Sequence, residues 1–530
     1  MFPPFRTVVP FLQLLCASGS LAATVVQNLV VSNSEFAPDG YNRLATLVNE
    51  QFPGPVIKGN KGDNFHITVN NLLHDDRLDL VTSVHWHGID QHRTNWADGV
   101  SSITQCPIIP GESFKYQFNV PDQAGTFWYH SNQYCDGLRG VFVVYDPQDA
   151  NKHLYDVDDE STIITLGDWY HYLSVNRPAI PEATATLING KGRYAGGPNV
   201  PLSVINVKRN LRYRFRIVAM SCDSNYMFSI DQHNLTVIEA DSRPTQPHQV
   251  SQIQPLAGQR YSVILNADQP INNYWIRAIR SENDPTIVQS IAGGQNAAIL
   301  RYAGAKIQEP APLNVSNLIL LNEADLRVRR EIPLSSDQPI HSRKPPADAV
   351  IPLNVTVDLN AGLFLVNGVA FQPPSVPVLL QILSGTKDAS DLLPKGAVYG
   401  LQRNKTYELV VPAGALGGPH PLHLHGHDFW VVQSAGGTLN DVNPVLRDTV
   451  SMGNPGDNVR IRFRTDNPGP WFFHCHVDWH LTAGFAVVFA EDVPDVPQVD
   501  APPQAWEGLC PRYDQWQNTH NITSNTTSAD

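Results

Sequence analysis

The sequence predicts an all-β chain of about three domains, each a β-sandwich or barrel, and three observations predict it. Runs that alternate apolar and polar residues recur, as in 113–120 (SFKYQFNV), 213–218 (YRFRIV) and 458–463 (NVRIRF), which is the period of a half-buried strand. Turn formers punctuate them, with 42 Pro and 36 Gly, while helical periodicity is scarce. The 530 residues suit about three domains at roughly 150 residues each, and the first and last thirds repeat one another.

In chain order, residues 1–23 read as a secretory leader. Arg6 gives the positive start, Val8 to Cys16 an apolar stretch, and Ser20-Leu21-Ala22-Ala23 a small-residue cleavage zone. That run is too short to span a bilayer, and no later segment is long and apolar enough, so a secreted, extracellular protein without a membrane partner is expected. A first domain over 24–150 ends where Asp146-Pro147 punctuates the chain. A second, over 151–315, keeps strand patterning without His clusters and closes near Glu309-Pro310-Ala311-Pro312. A third, over 316–530, echoes the first. Gly62-Asp63-Asn64-Phe65-His66-Ile67 matches Gly456-Asp457-Asn458-Val459-Arg460-Ile461, and His85-x-His87-Gly88 matches His423-x-His425-Gly426. Ala124-Gly125-Thr126-Phe127-Trp128-Tyr129-His130 matches Pro468-Gly469-Pro470-Trp471-Phe472-Phe473-His474, and an apolar strand follows each. This is the pattern of a duplicated domain.

Net charge is −13 with a pI of about 5.8 and no Arg/Lys-rich run, which argues against a nucleic-acid partner. Of six Cys, Cys16 lies in the leader and Cys475 in a His cluster. Cys106, Cys135, Cys222 and Cys510 suit two disulfides, and spacing leaves all three connectivities open. The sequons at Asn234, Asn314, Asn354, Asn404, Asn521 and Asn525 are candidate glycan sites.

The chemistry lies in His85-Trp86-His87-Gly88, in His420-Pro421-Leu422-His423-Leu424-His425-Gly426-His427 and in His474-Cys475-His476-Val477-Asp478-Trp479-His480. Residues i and i+2 of a strand share a face, so each His-x-His pair presents two imidazoles to one surface. Two facing domains could then cage several metal ions. A lone pair of this kind is most often a surface or core feature, but three clusters in a duplicated β-frame are not. Imidazole alone does not name the metal; the Cys475 thiolate with His420 and His480 makes the two-His-one-Cys set of a blue copper site. Phe485 lies where an axial ligand would be sought and cannot coordinate, so the reduction potential should be high. His474 and His476 point opposite to Cys475, which wires the sulfur to a second metal site. His427 reads as structural, and Asp478 as a residue that orients a ligand.

At these residues the chain resembles the laccases, multicopper oxidases, and especially those of basidiomycete fungi. Thr94-Asn95-Trp96-Ala97-Asp98-Gly99 and Tyr134-Cys135-Asp136-Gly137-Leu138-Arg139-Gly140 carry the likeness with the His motifs. The resemblance implies three tandem cupredoxin-like Greek-key domains and four coppers. It implies one-electron oxidation of phenols and aromatic amines, with reduction of O2 to water. By motif, Cys475, His420 and His480 would hold the type 1 copper, and His85 and His423 the type 2 copper. His87, His130 and His476 would hold one type 3 copper, and His425 and His474 the other. The resemblance also pairs Cys106 with Cys510 and Cys135 with Cys222. It makes Asp223 the acceptor of the phenol proton, with His480 passing the electron, and Asp98 an acid that helps deliver protons to reduced oxygen.

One motif departs. The family reads His-Ser-His and three further residues before Gln-Tyr-Cys; here His130-Ser131-Asn132 runs straight into Gln133-Tyr134-Cys135. One type 3 imidazole is missing, and Asn132 is a weak neutral donor for copper. His130 precedes Gly140 by the same ten residues that separate His474 from Gly484, so the repeat offers a precedent for closing the loop at this length. The expected function is a secreted laccase, impaired at one type 3 copper. The alternatives are a crippled copper-binding or electron-transfer protein, or a ferroxidase. Lignin fragments, pigment precursors and host phenols all fit as substrates, and a monomer is expected.

Overall fold

The computed structural model of the protein describes residues 22–132, 134–281, 290–313, 315–329, 346–414 and 419–520. The leader up to residue 21, with Cys16, lies outside them, as do Gln133, Asn314, Asn521 and Asn525. Three cupredoxin-like β domains follow one another. Alternation builds their strands as the sequence suggests: Asn458–Arg464 buries every second residue, and Ser113–Asn119 largely does so.

The duplication is visible in the pairing. In the first domain His85–His87 runs antiparallel to Gly125–His130, setting His85 opposite His130. Gly125–His130 then pairs with Arg139–Tyr145, which is flanked by the parallel strand Gly54–Asn60. In the third domain Pro421–Leu424 pairs with Gly469–Cys475, setting His423 opposite His474. Gly469–Cys475 pairs with Ala486–Glu491, again flanked by a parallel strand, Val398–Leu401. Each His-x-His segment therefore pairs with the equivalent His-bearing strand of its sheet, at the edge in the first domain and, in the third, with Thr449–Ser451 added on its far side.

The middle domain packs a six-stranded sheet against a four-stranded one. Its core merges with half of the third domain, through residues such as Phe215, Ile217, Leu422 and Phe473. The first domain's core merges with the other half, through Phe142, Phe472, Val488 and Trp506. Burial on both sides fixes the third domain against its neighbours, since apolar area removed from water contributes about 25 cal/mol per Å2. The disulfides are Cys106–Cys510 and Cys135–Cys222, and Cys475 is a buried free thiol. The first bridge ties the helix Leu509–His520 to the first domain. No described helix is long and apolar enough to cross a membrane. The described sequon residues Asn234, Asn354 and Asn404 are exposed.

Candidate metal centres

Two centres are built from opposite faces of one strand end. The Cys475 Sγ lies 3.7 Å from the Nδ1 atoms of both His420 and His480, and those two nitrogens are 3.1 Å apart. His420 precedes the strand Pro421–Leu424, Cys475 ends Gly469–Cys475, and His480 sits on the short helix Asp478–Thr482. The rest of this centre is apolar. The Phe485 ring is 5.3 Å from His420 and stacks on Phe364, which is itself 4.6 Å from His480. Phe364 carries no sequence signal for this role. Burial pushes the Cys475 thiol up, and the Asp223 charge adds to it; a bound cation reverses that by ionising the sulfur. Burial holds His480 down at about 3, so the imidazole is neutral and able to bind metal.

Asp223 is brought to this centre. It is half-buried, and its charge is felt at Tyr170 and Tyr172 as well as at Cys475. The preceding residue, Cys222, accepts a hydrogen bond at 2.8 Å from the Asp478 N–H, at the start of the His480 helix. His480 is the part-exposed member of the sulfur centre.

On the other face, His85, His87, His130, His423, His425, His474 and His476 converge between the first and third domains, all buried. Their donor atoms fall into two groups of three within 4.8 Å, one of His85, His87 and His423 and one of His87, His130 and His476. Burial lowers the proton affinity of His87, His130, His423, His425 and His474 well below the ordinary imidazole range, and holds His476 at about 3. The neighbours fix which nitrogen faces the cluster. Nδ1 of His85 meets the Asp98 carbonyl at 2.8 Å, and Nδ1 of His423 meets the Asp448 carbonyl at 2.9 Å. Nδ1 of His425 meets the Asp98 carboxylate at 2.9 Å, and Nδ1 of His474 the Cys475 carbonyl at 2.9 Å. Each of these leaves Nε2 inward. His87 is reversed: its Nε2 lies 3.3 Å from Asp448, and its Nδ1 faces His476 Nε2 at 3.1 Å.

This donor set fits copper. Both ring nitrogens of His130, Nε2 of His423 and Nδ1 of His476 are buried without a hydrogen-bond partner among the described residues, a cost that metal ligation removes for the inward-facing atoms. Neutral imidazoles at 3.1 Å and a buried thiol suit a metal of the Cu class. The fit is uneven, however. His425 and His474 approach to 3.1 Å between their Nε2 atoms, yet His474 joins no three-donor group among the described residues. Asp98 and His85 flank His425 on its Nδ1 side instead.

The chain between His130 and Gly140 runs close beside these donors. The chain turns directly after His130, with Tyr134 N–H donating to the Ser131 carbonyl and Arg139 N–H to the Gly137 carbonyl. Residues Tyr134–Asp136 form one 3-10 turn. Gly137 has φ +131°, and a Cβ there would lie 2.5 Å from the Thr46 carbonyl. His130 itself is well held, stacked on Trp128 at 4.2 Å and 5.1 Å from the Tyr134 ring. His427 is apart from the cluster. It pairs with Glu491 at 3.1 Å and is raised to about 9 despite its burial, so it is a charged structural group. The pieces that sequence does not signal are Asp448, Arg260 and Gly258, which back the cluster from outside.

Comparison with known proteins agrees with this layout. Family models described as multicopper oxidase match residues 30–149, 160–305 and 371–495. The chain is similar to the laccase of Phlebia radiata, 54% identical over 495 residues that cover 92% of this chain and 94% of that one. It is also similar to laccase-2 of Trametes versicolor, 53% identical over 514 residues covering 95% and 97%. Among solved structures it is similar to the laccase from Botrytis aclada, with TM-score 0.79, 29% identity and coverage of 96% and 95%.

Proposed function

The chain belongs to the multicopper oxidase family and is a laccase-type, copper-binding oxidoreductase; from that premise we propose that it is secreted, and that it takes single electrons from phenols and aromatic amines and passes them to O2. The observation that carries the reading is the placement of Cys475 between His474 and His476, with its sulfur in one centre and their imidazoles in the other. Copper at the sulfur centre supplies one-electron acceptance, and copper among the buried imidazoles supplies four-electron reduction of O2 to water. His420, Cys475 and His480 are the proposed type 1 ligands, and His85 and His423 the type 2 ligands. His87, His130 and His476 hold one type 3 ion, with His425 and His474 left for the other.

The chain's own groups do the rest. The phenol docks against the part-exposed His480 edge, and the Asp223 carboxylate accepts its proton as the electron leaves. Asp98 is the proposed proton-delivering acid, since its carboxylate spans His85 at 3.2 Å and His425 at 2.9 Å. The apolar wall of Phe364 and Phe485 lines one side of the sulfur centre. Domain divisions near residues 150 and 315 complete the proposal.

The missing donor beside His425 and His474 makes the second type 3 ion weakly held. The protein loaded with copper is therefore blue, and Cys475→Ser is colourless. The near-ultraviolet band of the coupled copper pair is weak, and O2 uptake with 2,6-dimethoxyphenol is slow. Replacing Asn132 by a His with three following residues restores copper content, that band and turnover together. Four tightly bound coppers and fast turnover in the unmodified chain would refute the weak site; no phenol-dependent O2 uptake even after the insertion would refute the oxidase reading.

A further inference from the structure

Asp168 is wholly buried on the strand Ile163–Trp169, and its carboxylate gathers one short turn. Oδ1 accepts the Cys222 N–H at 2.9 Å, and Oδ2 accepts the Asp223 and Ser224 N–H groups at 3.0 and 3.1 Å. Oδ2 also accepts the Tyr170 O–H at 3.0 Å, and Arg139 stands 3.7 Å from Oδ1. Three successive backbone N–H groups converging on an anion form a rigid nest, and hydrogen bonds to a charged acceptor are about twice as strong as neutral ones.

The turn is held from its other sides too. Cys222 is bridged to Cys135 of the first domain, and its carbonyl accepts the Asp478 N–H of the His480 helix. Asp168 thus locks a middle-domain turn onto the third-domain helix that carries His480. The distance from Asp223 to the His480 edge is set by these bonds and not by the Asp223 side chain alone. Arg139 strengthens the link, since its guanidinium also donates to the Asp168 carbonyl at 2.9 Å.

We propose that Asp168 is a positioning residue for phenol oxidation, holding the Cys222–Ser224 turn so that the Asp223 carboxylate stays in register with His480. The proposal rests on the reading of Asp223 as the proton acceptor. Its consequence is selective. Donors that must lose a proton depend on Asp168, whereas a donor with no proton to lose does not.

The test follows the anaerobic bleaching of the blue band of the copper-loaded protein and compares two donors in each variant, so that onward transfer to the buried cluster affects both donors alike. Asp168→Asn, Asp223→Asn and the double variant are mixed with 2,6-dimethoxyphenol or with ferrocyanide. Asp168→Asn is expected to slow the phenol by about tenfold or more, a fraction of the 10²–10⁴ that a placed acid or base contributes, with ferrocyanide changed by less than about twofold. In the Asp223→Asn background the Asp168 change should add almost nothing, because two residues acting through one group are not additive. An equal effect on both donors, no effect on either, or fully multiplicative losses overturns the proposal. A normal phenol rate in Asp223→Asn overturns the Asp223 reading itself. Should Asp168→Asn not accumulate, Asp168→Glu keeps the charge but displaces the carboxylate by about one methylene, and misplacement near 1 Å costs up to about 10²-fold. An unchanged phenol-to-ferrocyanide ratio in that variant overturns the proposal equally.

Discussion

Arg260 is a guanidinium whose bonds reach all three domains beside the buried cluster, and its removal should loosen the cluster without touching a ligand. Nε donates to the Thr126 carbonyl of the first domain at 2.8 Å, and Nη1 to the Gly258 carbonyl of the second at 3.1 Å. Both terminal nitrogens clasp Asp448 of the third, at 2.7 and 2.5 Å. Asp448 in turn faces His87 Nε2 at 3.3 Å. Arg260→Met keeps most of the volume and removes the charge. Breaking a buried pair from one side costs about 3–5 kcal/mol. With an unfolding entropy of about 2.1 cal/mol/K per residue, a cooperative unit of some 500 residues loses roughly 1 °C per kcal/mol, so Tm should fall by about 3–5 °C. The penalty depends on pH with a definite sign. Asp241 already lies above the usual carboxylate range because of burial, and Arg260 is one of the charges that hold it down. Removing Arg260 raises it further. A group raised in the fold contributes stability below its unfolded pKa and loses it as pH rises through the folded value, so the deficit should be small near pH 4 and full near pH 7. Calorimetry at both pH values, with copper content after dialysis, measures this. An unchanged Tm and copper content at pH 7, or a deficit greater in acid, would refute the reasoning.

Two further changes probe the same frame. A Cβ at Gly258, where φ is +86°, would sit 2.9 Å from His476 Cδ2 and 3.1 Å from His87 Cε1; Gly258→Ala should lower copper in the buried cluster and leave the blue band intact, as metal analysis and absorbance will show. Asp500 is fully buried, accepts the Trp96 N–H at 3.2 Å, and is pushed up to about 7 by burial. Being raised, it contributes stability at pH 4 that is lost as pH climbs to about 7, by up to about 1.4 kcal/mol for each tenfold fall in proton concentration. Asp500→Asn should flatten inactivation rates across that range, and an unaltered pH slope would exclude Asp500 as its source.

The strands were legible because alternation is local, and Asn458–Arg464 shows it residue by residue. The His-x-His faces were legible for the same reason: a period of two fixes which side each imidazole takes. The disulfide partners were not legible from spacing, since Cys106 and Cys510 lie 404 residues apart and resemblance alone paired them. The helix Leu509–His520 is faint in the sequence because only Leu509 and Tyr513 of its 12 residues are buried, too few to make an apolar stripe. Asp168, Arg260 and Asp448 left no signal. The partners that matter to the site, Cys222, Asp448 and His87, stand 54, 188 and 361 residues away in sequence, and nothing in a neighbouring Cys or Thr marks an Asp as a support.

That division has a physical basis which bears on the proposed loss of a copper ligand. Ligands announce themselves because metal chemistry restricts residue type and spacing, so the proposed loss of one imidazole after Ser131 can be read from the sequence alone. Supports are interchangeable in type and are selected by where three domains happen to meet. The supports of the cluster are nonetheless in place here: Asp448 still faces His87, Asp98 still faces both His85 and His425, and Trp128 still stacks on His130. A chain that had abandoned its buried centre would have no need of a guanidinium and two carboxylates that are costly to bury. These surroundings support the proposed reading of a cluster short of one donor, and under that reading restoring the loop after Ser131 should raise copper content, whereas no gain in bound copper would count against it.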